Sequence, residues 1–72
     1  MSLTKKEITK VVRSLSREFG KVAMFGYQKT TNGAYKLAVD DAPDDKKKDI
    51  LASAGKALGR PLRKDEIVYS GG

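Results

Sequence analysis

Apolar residues recur at Ile8, Val11, Val12, Leu15 and Phe19, a spacing of i, i+3, i+4, i+7 and i+11 that draws one stripe along a helix. Thr4 and Glu7 stand three apart at its start, so each side chain can satisfy the other's free backbone amide in a capping box. Leu3 and Ile8 bracket that cap at hydrophobic-staple spacing. Gly20 follows the last stripe residue, where a helix stop needs positive φ. The pattern predicts a helix over about 4–19.

Residues 21–30 then read as a strand, Asn32-Gly33 as a two-residue type I′ turn, and residues 34–39 as the returning strand. This hairpin of about 21–39 would set Thr30 opposite Tyr35, Gln28 opposite Leu37 and Gly26 opposite Val39. Val22, Met24, Tyr35, Leu37 and Val39 would form its core face. Ala23, Phe25, Tyr27, Lys29, Lys36 and Ala38 would form the outer one. A one-residue slip would change this division.

Pro43 and the acids Asp44 and Asp45 suit a first helical turn. Ile50, Leu51, Ala54, Ala57 and Leu58 supply the stripe of a second helix over about 43–58, closed by Gly59 and Pro61. Gly55 within it is tolerable if another backbone passes close. Arg63-Lys64-Asp65-Glu66 reads as a polar turn, and residues 66–69 as a short last strand. Residues 70–72 should fray. The order α-β-β-α-β predicts one small α+β domain over residues 1–72. Its three-stranded sheet should be mostly antiparallel, with both helices on one face.

Composition narrows the chemistry. The 72 residues contain no His and no Cys, which removes the usual general base, thiolate nucleophile and common metal ligands. No pair of Asp, Glu, Lys, Tyr or Ser stands at a spacing that suggests catalysis, so a non-enzymatic protein without a cofactor is expected. No apolar run approaches the roughly 20 residues of a membrane helix, and no apolar stretch follows the first charges as in a signal peptide. A cytoplasmic monomer, not bound to membranes, is the expectation.

Fifteen Lys and Arg against nine Asp and Glu give a net charge of +6 and a pI near 9.7. The excess lies wholly in residues 1–39, which carry eight cations and two acids, whereas residues 40–72 carry seven of each. At about 100° per residue, Lys6, Lys10, Arg13 and Arg17 fall in one row opposite the apolar stripe. No acid interrupts it. Such a row can follow a phosphate backbone or an acidic protein surface, or serve only as a solvated face. Lys29 and Lys36, with Phe25 and Tyr27, would interleave cations and rings on the outer hairpin face, the chemistry of a single-strand platform. Phe25 could instead fill a secondary core. Four acids at 40, 41, 44 and 45 lack the Gly and distal Glu of a calcium loop, so no metal site is expected. Lys46, Lys47, Lys48, Arg60, Arg63 and Lys64 read as solvated surface. Gly55 to Gly59 lacks the Lys-Ser or Lys-Thr of a phosphate-binding loop and departs from the KH-domain loop. The Gly71-Gly72 end is like that of a ubiquitin-like modifier, but those folds open on a hairpin.

In length, basicity and lack of a catalytic set, the chain resembles the small phage-encoded inhibitors of bacterial RNA polymerase. The resemblance implies contact with the polymerase large subunits, interference with promoter engagement or sigma-factor retention, and a place in the host cytoplasm. It carries over no residue. The residues themselves point to a regulator that contacts nucleic acid through Lys6, Lys10, Arg13, Arg17, Lys29 and Lys36. The alternative is an inhibitor that docks on RNA polymerase without touching DNA, with Phe25 or Tyr27 as anchors.

Overall fold

The computed structural model describes residues 3–71; Met1, Ser2 and Gly72, including the end of the expected frayed tail, lie outside them. Helix α1 spans Lys5–Phe19 and begins with the expected box: Glu7 N–H donates to the Thr4 hydroxyl, and Thr4 N–H donates to the Glu7 carboxylate. Strands β1 (Met24–Lys29) and β2 (Tyr35–Asp40) form the hairpin. Helix α2 spans Asp44–Leu58, and a single 3-10 turn, Lys64–Glu66, leads into β3 (Ile67–Ser70). Pro43 caps α2 instead of opening it, and Gly59 ends it at φ 93°.

The sheet order is β1-β2-β3. β1 and β2 are antiparallel, but β2 and β3 are parallel, so the sheet is mixed. The expectation of a mostly antiparallel sheet is corrected by the crossover. α2 carries the chain back along the sheet, so β3 re-enters in the direction of β2. Both helices lie on one face. Leu37 and Val39 of β2 join Ile8, Val11 and Leu15 of α1 and Ile50 and Ala54 of α2 in one buried core. Leu3 and Leu62 close its ends.

The hairpin register differs from expectation by one residue. Phe25 pairs with Val39, Tyr27 with Leu37 and Lys29 with Tyr35. The turn is the cause. Thr30 N–H donates to Ala34 O at 2.8 Å and Gly33 N–H donates to Thr30 O at 3.1 Å, with Gly33 at φ 85°. This is a three-residue loop with a glycine bulge, whereas a type I′ turn would need Asn32 at positive φ as well. The Thr30 hydroxyl accepts from Ala34 N–H and bonds the Asn32 side chain, holding the longer loop. With the β2 residues Leu37 and Val39 in the core as expected, the one-residue slip turns over the side chains of β1 alone. Phe25 therefore packs against the core, while Val22 and Met24, expected inside, are 39% and 68% exposed.

Gly55 sits where another backbone approaches: a Cβ there would stand 3.2 Å from Arg60 O and 3.3 Å from Pro61 Cα. Gly→Ala in an open helix gains about 1 kcal/mol. Here Gly55→Ala is expected to lose stability instead, by about 1 kcal/mol, because Pro61 limits how far that backbone can retreat. Urea unfolding of the two proteins checks the sign.

Candidate functional site

The two faces of α1 have opposite fates. Ile8, Val11 and Leu15 are fully buried. Lys6, Lys10, Arg13 and Arg17, half a turn away, are all exposed. From Lys6 to Arg17 the row runs eleven residues, about 16 Å at 1.5 Å per residue. None of the four makes a salt bridge among the described residues, where the ion pairs are Lys47–Asp44 and Arg60–Glu66. The two acids of α1 are engaged elsewhere. Glu7 is committed to the Thr4 cap, whose hydrogen bonds hold its carboxyl below the usual range. Glu18 accepts from the Ser53 hydroxyl of α2 at 2.8 Å. Each like-charged pair along the row costs about 0.2–0.5 kcal/mol in an isolated helix, and among the described residues no ion pair with the row offsets it. Lys5, Lys6, Thr9, Lys10 and Arg13 line a shallow hollow at the start of the row.

The hairpin residues divide. Lys29 is exposed at the turn end of β1. Its partner Tyr35 also bridges to Leu3, just before α1, so Lys29 lies at the same end of the domain as Lys6. Lys36 pairs with Gln28 and belongs to the opposite, open face of the sheet. Tyr27 is 46% exposed and meets Tyr35 edge to face at 5.5 Å. Phe25 is half-buried against the core. The open sheet face carries Met24, Gly26, Gln28, Lys36, Ala38, Asp40, Val68 and Ser70 by register, with no ring. The expected platform of rings and cations on one outer face is therefore not assembled, because the slip sent Phe25 and Tyr27 to the helix side.

Of the four acids at 40–45, two carboxylates have local partners and a third residue contributes its backbone. Asp40 bonds Ser70, Asp41 donates its N–H to Ser70 O, and Asp44 pairs with Lys47. Among the described residues no group of three His, Cys, Asp or Glu is placed to hold a metal ion, and no helix is long and apolar enough to cross a membrane.

Sequence reasoning missed Glu66. Expected in a solvated turn, it is 4% exposed. Its carboxylate accepts from Arg60 Nη1 at 2.9 Å, Arg60 Nη2 at 2.7 Å and Arg63 N–H at 2.8 Å. Arg60, expected on solvated surface, is thereby committed inward. The R-x-x-E spacing of Arg63 and Glu66 was the one available signal. The Arg60 guanidinium is the main cause that lowers the Glu66 pKa from 4.5 to about 2, against the opposing effect of burial.

Comparison with known proteins finds no matching family model, no matching curated protein and no matching solved structure.

Because the folded-state pKa of Glu66 is depressed, the pair stabilises the fold fully above pH 4.5 and loses that effect as pH falls toward 2. Glu66→Gln should cost about 2 kcal/mol near neutral pH, less than a fully buried pair because Arg60 remains one-third exposed. Urea midpoints measured across this range should show the gap between wild type and variant closing in acid. A gap unchanged down to the lower limit would mean that the pair is not what stabilises this loop.

Proposed function

We propose that the protein is a small non-enzymatic regulator that binds nucleic acid through α1. The observation that carries this reading is the row Lys6, Lys10, Arg13 and Arg17, exposed along about 16 Å of helix with no acid paired to it among the described residues. Lys29 extends the same positive end of the domain, and Lys36 stands apart on the open sheet face. A cation row of this length fits a helix laid along one phosphate strand. The charge contacts position the protein and release counterions without reading sequence.

A second reading, an inhibitor that docks on RNA polymerase, is supported by Tyr27. This ring is 46% exposed on the helix side of the sheet and gives a protein partner an anchor that phosphate contacts alone do not use. The two readings differ in salt response and in whether nucleic acid alone suffices.

Four phosphate contacts imply a slope of about −3.6 in log affinity against log salt on duplex DNA. Fluorescence anisotropy with a labelled duplex and a labelled single-stranded RNA, from about 50 to 200 mM salt, should show a loss of roughly a hundredfold. Arg13→Glu with Arg17→Glu should weaken binding to all sequences and at least halve the slope. No binding of either nucleic acid at the lowest salt would reject the first reading. Capture of polymerase after nuclease treatment would then support the second.

A further inference from the structure

The face of α2 turned away from α1 carries a second surface, distinct from the basic row. Ile50 and Ala54 point into the core, and about half a turn away Leu51, Ala52 and Gly55 form one wall of a trough. Pro61 and Leu62 form the other wall. The hollow measures about 620 Å³. Leu51 and Leu62 are shared with a second hollow of about 250 Å³ that continues toward Ile67 and Tyr69. Together they make an elongated apolar channel with two recesses.

Its charge is one-sided. Lys48, Lys56, Arg60, Arg63 and Lys64 line the two hollows, and no acid does. Arg60 is held by Glu66, which leaves four cations on the rim without an ion pair among the described residues. The half of the chain with no net charge therefore presents a locally positive rim around an apolar floor.

The trough is also built. Arg60 holds Glu66 with both terminal nitrogens and donates to Pro61 O at 3.1 Å. Glu66 in turn holds Arg63 N–H. Residues 60–63 are thus fixed as a wall, and the missing side chain at Gly55 lets that wall close on the helix. A wall fixed before binding lowers the ordering cost of a ligand.

We infer that this trough binds an acidic amphipathic helix of a protein partner. The elongated channel with two recesses suits apolar side chains at helical spacing, the helix-in-groove mode. The rim of cations selects acids on the flanks of that helix. The concave shape argues against a lipid surface, which is met by apolar side chains that protrude. Leu51 and Tyr69 are each only 37% exposed. A second copy of the chain would bring two positive rims together.

The test uses the whole protein and a fluorescein-labelled peptide with Leu at i, i+4 and i+7 and Glu on its other faces. Controls are the same peptide scrambled, the same peptide with Lys for Glu, and vesicles of phosphatidylserine and phosphatidylcholine. The acidic helix should bind, shift the amides of residues 51–56 and 62, and bind about tenfold more weakly to Lys48→Glu with Lys56→Glu. Leu51→Gln, at a partly exposed position, should weaken it too, with an otherwise unchanged amide spectrum showing that the fold is kept. Arg13→Glu with Arg17→Glu should leave peptide affinity unchanged, which separates this surface from the α1 row. Equal binding of the scrambled peptide, shifts confined to α1, binding of vesicles in place of peptide, or self-association that buries residues 51–56 would each overturn the inference.

Discussion

A helix that hides one side in the core has no freedom about its other side. The domain has one sheet with one covered face, and Ile8, Val11 and Leu15 lock α1 onto it with no exposed area. Burial of three such side chains is worth several kcal/mol, since each contributes roughly 1.5–3 kcal/mol relative to exposure. Repulsion within the basic row is smaller, at a few tenths of a kcal/mol for each adjacent pair. The core therefore decides the orientation of the helix, and Lys6, Lys10, Arg13 and Arg17 follow it outward. Their exposure is a consequence of packing, while their common sign is a property that packing does not require.

The second helix repeats this logic with a weaker hold. Ile50 and Ala54 enter the core, but Leu51 does not, and the segment after Gly59 is held over it by the Arg60–Glu66 pair together with the buried Leu62 side chain. A paired, hydrogen-bonded carboxylate is one of the few ways to bury an acid at acceptable cost. Its position explains why a small domain spends a buried charge on a loop. The pair fixes residues 60–63 and starts β3 in register beside β2.

The sequence made α1 legible because the Thr4–Glu7 box and the apolar stripe coincide there; Gly20 does end the helix, but at φ −60°, in the right-handed region and not at the positive φ expected of it. Gly55 was legible as a point of close approach for the same reason, a residue whose cost in a helix needs a structural return. The hairpin was legible as a hairpin, but not in register. Asn32-Gly33 suits both a two-residue and a three-residue loop, and the Thr30 hydroxyl that favours the longer one gives no periodic signal. That one residue moved Phe25 inward and separated Lys29 from Lys36. The parallel pairing of β3 depends on how α2 packs, which strand composition does not encode. Glu66 was hidden because its partner lies six residues back across a bend, where no periodicity points to it. Of the candidate site, the four positions on α1 could be read from the sequence, and the hairpin contribution could not.

The proposed role of α1 requires that its exposed row meet a polyanion. Amide shift mapping of the isotope-labelled protein against a short DNA duplex at low salt examines that contact residue by residue. The expected result is a continuous track of perturbed resonances from Lys6 to Arg17, fading as salt is raised. Perturbation spread over the open sheet face or the α2 trough, with α1 silent, would contradict it.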